Sequence, residues 1–146
     1  MQNSYYLIRQ LVPHLKDYLV GASLADCFSQ NKDELIIQFT KINSAEFTII
    51  AHLNPRFTCL AFTEEYHKAR KNAATIFSPL KQLEVLDVKG FINERAFIIQ
   101  FEQNYLLLIK LYGQQSNLVL YENKSVIDIF RSSLKNDYNK GTKIGF

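Results

Sequence analysis

The sequence has no tryptophan, two cysteines, three prolines and five glycines in 146 residues. Each scarcity excludes something. Cys27 and Cys59 are too few for a disulfide scaffold and lack metal-ligand spacing, so both are expected to be reduced, buried thiols. The glycines stand alone at 21, 90, 113, 141 and 145, which leaves no glycine-rich loop to cradle a phosphate. His14, His52 and His67 are scattered, and no pair is spaced with Cys or Asp as zinc requires, so no metal and no cofactor are expected. Ser116 lies between Gln115 and Asn117 rather than between glycines, which rules out a nucleophile elbow. Glu64-Glu65 reads as a solvated turn rather than an acid–base pair. An enzyme is therefore not expected. No apolar run approaches the roughly 20 residues of a membrane-spanning helix. Arg9 and Lys16 interrupt the first apolar pattern, which argues against a signal peptide. The expectation is a cytoplasmic protein in a reducing compartment.

What is present is apolar and aromatic. Hydrophobic residues make up 47% of the chain, enough for one domain with a real core. Eleven Phe and eight Tyr favour strands, where aromatic side chains pack well on a pleated surface. The net charge of +3 and pI of about 8.8 permit a phosphate-bearing partner without demanding one.

Along the chain, Ser4 can cap a helix over 4–20 whose apolar positions Ile8, Leu11, Val12, Leu15, Tyr18 and Leu19 recur at three and four. Pro13 falls inside it, and Gly21 is placed to end it in a left-handed cap. The period then becomes extended. Strands are predicted over 24–29, 34–40, 47–52 and 57–62, with turns at 30–33 and 41–44 and a break at Asn54-Pro55. A second helix is predicted over 67–80. Extended runs follow at 83–91, 96–102, 105–112, 118–121 and 126–130. This pattern predicts an α+β fold, an antiparallel two-sheet β-sandwich with flanking helices. The tail "NDYNKGTKIGF" has no periodicity.

Four stretches, taken in order, resemble the N-terminal domain of the NFACT family, formerly labelled the fibronectin-binding protein A N-terminal region. "LVPHLKDYLVGASLADCFS" resembles its opening helix, glycine and first strand. "NKDELIIQF" resembles a strand entry, and "IIAHLNPRFTCLAFTE" a strand, proline break and next strand. "LYGQQSNLVLYE", followed by "ENKSVIDIFRSS", resembles a Gly-x-x-Ser-Asn segment with the strands after it. The resemblance spans 5–135, so 1–135 is expected to be the domain and 136–146 the start of a linker to downstream domains. The sequence departs from the family in a shorter basic segment before the second helix, and in Glu94-Arg95 where the family has Asp-Arg.

The resemblance implies a fold similar to the N-terminal domain of formamidopyrimidine-DNA glycosylases. Those enzymes use an N-terminal Pro followed by Glu; Met1-Gln2-Asn3 supplies neither, so glycosylase chemistry is not expected. It further implies a factor of ribosome-associated quality control, with tRNA and the large ribosomal subunit as partners. Glu94-Arg95, read alone, is an ordinary surface pair at a strand start. In the family's Asp-Arg position, Arg95 would offer its planar fork of donors to RNA, with Glu94 orienting it. Lys68, Arg70 and Lys71 are either a solvated helix face or a set of salt-sensitive phosphate contacts. Ser116 and Asn117 are expected to satisfy local backbone groups in a shaped corner between two sheets. Two rival readings are a fibronectin-binding surface adhesin and a degenerate glycosylase-type DNA-binding module.

Overall fold

The computed structural model describes residues 5–31, 33–41, 45–54, 57–63, 74–91, 96–111 and 117–130, and for 5–10, 30–31, 54, 57–63 and 74 the backbone alone. Helix α1 spans Tyr5–Leu19 with Pro13 inside it. It ends as expected at Gly21, whose φ of +89° is the left-handed conformation glycine adopts without a Cβ penalty. Val20 donates to the Lys16 carbonyl, and Gly21 N–H already donates outward, to Val85 at 3.0 Å. The cap thus turns the chain from helix into sheet.

Ten strands follow among the described residues. The first sheet contains β1 (Ser23–Asn31), β2 (Glu34–Thr40), β3 (Glu46–Asn54), β4 (Phe57–Thr63) and the short β5 (Ala74–Thr75), in the order β4-β3-β2-β1-β5. The second contains β6 (Val85–Gly90), β7 (Ala96–Phe101), β8 (Tyr105–Lys110), β9 (Asn117–Glu122) and β10 (Ser125–Ile129), in the order β10-β9-β8-β7-β6. Every pairing is antiparallel, as the sequence predicted. Consecutive strands neighbour one another within each sheet except for β5, which pairs with β1 at the edge opposite β4.

The core lies between the sheets. On β3, Phe47, Ile49, Ala51 and Leu53 face it, and Leu35, Ile37 and Phe39 of β2 do the same. The second sheet contributes Val85, Val88, Phe97, Ile99, Leu107, Ile109, Leu118 and Leu120. The period of two along each strand sends the alternate residues to the opposite face. The sheets also join along a seam: Leu24 N–H donates to the Leu83 carbonyl at 3.0 Å and Val85 N–H to Ala22 at 2.8 Å, around an antiparallel Ser23–Glu84 bridge.

The helix covers the free edge of the second sheet. Its Leu15 and Leu19 enter the core, exposed by 2% and 0%. Val12 lies so close to β6 that a Cβ on Gly90 would stand 3.3 Å from its Cγ2. One turn further, Lys16 Nζ meets Asp87 Oδ1 at 3.0 Å. Tyr18, expected on the buried side, is instead 45% exposed and stacks on Phe47 at 5.1 Å, with Lys41 Nζ 4.4 Å over its ring.

The second predicted helix is not found. Of the helix predicted over 67–80, residues 67–73 lie outside the described residues, and the remainder is not α-helical. Ala74 and Thr75 pair with Ser29 and Phe28, and Ile76 N–H donates to the Cys27 carbonyl at 2.9 Å. Ser78–Leu80 then makes a single 3-10 turn, entered through Phe77 at φ 54°. The exposed edge of β1 offers backbone groups to pair, and Phe77 and Leu80 are buried in the core at 1% and 0% exposure. Burial and edge pairing outweigh local helical pattern.

Candidate functional site

The residues singled out for RNA contact lie outside the described residues: Glu94 and Arg95 within 92–95, and Lys68, Arg70 and Lys71 within 64–73. Their flanks are described. Ala96 opens β7, directly after Arg95, and Phe91 N–H donates to its carbonyl at 3.2 Å. That bond closes the β6–β7 hairpin and fixes where the connection leaves the sheet. Ala96 pairs with Lys110, and Lys110 with Asn117. The connections 91–95 and 111–116 therefore leave the same end of the second sheet. Exposed Lys89 lies beside them on β6.

Asn117 binds the local backbone as its residue type suggested. It is fully buried, and its Oδ1 accepts the Leu118 N–H at 2.9 Å. The connection before it, however, joins β8 to its neighbour β9 within one sheet and is not the expected corner between two sheets, because Lys110 and Asn117 pair directly. Ser116 lies outside the described residues. Cys27 is a buried free thiol, as expected. Burial pushes its titration well up, and the carboxylates of Asp26 and Asp128 add to this. Cys59 occupies β4 opposite His52, and its side chain is not among those described.

At the opposite end of the second sheet is a feature the sequence reading did not isolate. Gln103 and Asn104 have φ of 61° and 66°, and Asn123 and Lys124 have φ of 52° and 69°. Consecutive left-handed residues are what tight primed hairpin turns require, and Asn accepts them more readily than most. The dipeptides Gln-Asn and Asn-Lys between apolar runs were the available signal. Asn123 N–H donates to the Asn104 carbonyl at 3.0 Å, locking the two turns together. Gln100, Asn104, Leu106, Asn123 and Lys124 then line an open cleft of about 290 Å³. Three carboxamides and an ammonium over a leucine can hydrogen-bond a base or sugar edge and attract a phosphate.

Other polar pairs are structural. Lys16 donates to Asp87, and Val88 N–H donates to the same carboxylate oxygen at 2.8 Å. Together they hold the Asp87 carboxyl below the usual range. Glu122, hydrogen-bonded to the Tyr105 hydroxyl across the β8–β9 pair, raises that phenol. Among the described residues no group of three His, Cys, Asp or Glu is placed to hold a metal ion. Among the described residues, too, no helix is long and apolar enough to cross a membrane.

The fold is similar to three solved structures. The N-terminal domain of fibronectin-binding protein PavA from Streptococcus pneumoniae matches at TM-score 0.75 and 16% identity, covering 99% of this chain and 56% of that one. The fibrinogen binding protein from Staphylococcus aureus matches at 0.73 and 17%, covering 89% and 50%. The N-terminal part of the fibronectin/fibrinogen-binding protein from Streptococcus suis matches at 0.77 and 13%, covering 95% and 59%. The chain thus spans between half and three-fifths of each of those chains. At such identities the likeness is one of fold. No curated protein matches the sequence. The model of the NFACT N-terminal and middle domains matches residues 4–139, nearly the whole sequence, and the chain belongs to that family.

Proposed function

We propose that this chain is a non-catalytic RNA-binding domain of a cytoplasmic ribosome-associated quality-control factor, which helps recruit tRNA to stalled large ribosomal subunits. The observation that carries this reading is the family match across residues 4–139. A net charge of +3 agrees with a phosphate-bearing partner. Arg95 directly precedes Ala96, the first residue of β7, and in this reading its guanidinium fork meets RNA. In this reading Lys68, Arg70 and Lys71 supply phosphate contacts, and domains downstream of 136–146 complete the factor.

The test measures affinity of the full-length protein for tRNA and for large ribosomal subunits at two salt concentrations. Replacing Lys68, Arg70 and Lys71 with Ala should weaken binding to RNA of any sequence and flatten the salt slope by about 2–3, since each phosphate contact contributes roughly 0.7–0.9. Arg95→Ala should weaken tRNA recruitment with the melting temperature intact, and Arg95→Lys should recover little of it. Unchanged affinity in all of these would end the proposal. Equal affinity for duplex DNA of the same charge would favour the glycosylase-type reading.

An adhesin reading rests on a specific observation: the similar structures carry names that describe fibronectin and fibrinogen binding. Saturable binding to immobilised fibronectin that survives all four substitutions, with no tRNA binding, would favour it.

A further inference from the structure

The cleft between the two left-handed turns of the second sheet has a rigid frame and polar walls with no partner of their own. Phe97, Ile99 and Phe101 of β7 face the core between the sheets, so Gln100 lies on the outer face. Leu106 pairs with Gln100 in register and belongs to the outer apolar cluster, which makes it the floor. Asn104 and Asn123 stand at the end of that face, tied by the 3.0 Å backbone bond between them. Among the described residues, the carboxamides of Gln100, Asn104 and Asn123 make no side-chain hydrogen bond, and Lys124 makes no ion pair. The carboxylates that adjoin the turns are engaged elsewhere. Glu102 Oε1 accepts the Glu84 N–H at 2.7 Å, and Glu122 accepts from the Tyr105 hydroxyl. The Lys124 ammonium is thus left to a ligand.

Size and chemistry together narrow that ligand. Small-molecule pockets usually enclose roughly 300–1,000 Å³ between apolar and aromatic walls. This cleft holds about 290 Å³ over a single leucine, so it suits one polar, anionic unit rather than a lipid or an aromatic compound. A carboxamide sets a donor and an acceptor side by side, the complement of the donor–acceptor pattern on a nucleobase edge. An ammonium beside it is a point charge for phosphate. An acidic peptide would also meet Lys124, but peptides are held by strand edges or apolar pockets, and neither lines this cleft. We propose that the cleft binds one nucleotide unit, its base edge on Gln100, Asn104 and Asn123 and its phosphate on Lys124. A free nucleoside monophosphate and an unpaired nucleotide of RNA present the same groups, and the test separates them. A few exposed hydrogen bonds and one ion pair give a dissociation constant on the order of 1 mM. The site does not rest on the tRNA-recruitment reading, whose residues Lys68, Arg70, Lys71 and Arg95 are not among those lining it.

The test is an amide chemical-shift titration of the protein by NMR at constant ionic strength. The probes are adenosine monophosphate, adenosine, inorganic phosphate, a capped acidic dipeptide and a six-nucleotide oligoadenylate. Adenosine monophosphate should move the amides of Gln100, Asn104, Leu106, Asn123 and Lys124 together, and adenosine or phosphate alone should bind about fivefold more weakly. Lys124→Gln should weaken the monophosphate about threefold, the scale of an exposed ion pair, and adenosine by less. Asn104→Asp keeps the left-handed backbone acceptable but replaces a donor with a charge, so it should weaken both about fivefold. If Asn104→Asp disturbs the ligand-free spectrum outside the cleft, the Lys124→Gln comparison decides. An oligoadenylate that binds more than sixfold tighter than the monophosphate, through the same amides, identifies RNA as the source. One that binds no tighter for each of its units identifies the free nucleotide. The proposal is overturned if no shifts gather at the cleft, if phosphate alone reproduces them, or if the dipeptide binds there more tightly. Binding that ignores the deciding substitution overturns it as well.

Discussion

Gly21 can be tested through its backbone alone. Its φ is +89°, and no heavy atom lies within 4 Å of the position a Cβ would occupy. Substitution there meets no neighbour, so the cost is purely conformational. An L-residue forced into left-handed backbone pays about 1–2 kcal/mol. Replacing Gly with Ala also restricts the unfolded chain, which returns about 0.4–1 kcal/mol. Gly21→Ala should therefore destabilise by about 1 kcal/mol net, lowering Tm by about 2–4 °C for a domain of this size. Gly21→Asn should cost less, because Asn tolerates this region. D-alanine supplies the sharper arm, introduced by joining a synthetic 1–26 peptide to a fragment that begins at Cys27. Its preferred φ is positive, so it retains the unfolded-state benefit without the strain and should stabilise by about 0.5 kcal/mol. The assay is equilibrium urea unfolding with thermal melting. If L-Ala and D-Ala destabilise equally, the effect is steric and the open space around Gly21 is misplaced. If neither changes stability, residue 21 does not hold the left-handed turn.

The helix dock and its ion pair give two further expectations. Leu19 is fully buried in the last turn of α1, so Leu19→Ala should cost about 2–5 kcal/mol, whereas Val20→Ala, at a residue 44% exposed, should stay within about 0.5 kcal/mol; comparable effects in urea unfolding would mean that α1 is not seated by this face. Asp87 titrates below its ordinary value because Lys16 and the Val88 N–H bond it, so its contribution is present above the unfolded carboxylate pKa and is lost as pH falls through the lower folded one. Lys16 is 55% exposed, which limits the pair to about 0.5 kcal/mol. Asp87→Asn should show that deficit at pH 7 and converge on the wild type in acid, once pH falls below the lowered folded pKa, and a deficit that persists unchanged there would refute the assignment.

The sequence by itself determined much of the strand inventory. Period-two runs such as Phe47, Ile49, Ala51 and Leu53 mark a strand with one face inward, and Asn54-Pro55 marks its end. Gly21 marked the helix end because the left-handed cap is a local property of one residue. Family membership was legible for a related reason, since the ordered short motifs are local too. What the sequence did not disclose depends on which distant residues meet. Ala74 and Thr75 lie in a locally helical pattern, yet the unpaired edge of β1 and the space that receives Phe77 and Leu80 make them strand and turn. The runs Leu106–Ile109 and 118–121 are buried on both faces of the second sheet, where Ile98, Leu108, Val119 and Tyr121 form a second cluster. A continuous apolar run cannot say which alternate residue faces which core. Asn104 and Asn123 are nineteen positions apart, and only the pairing of β8 with β9 brings their turns together around the cleft. Glu34 and His52 likewise look unrelated along the chain. They meet because the register of β2 and β3 is set by the hydrophobic faces those strands must bury, and a slip of a single residue would turn either of them to the other side.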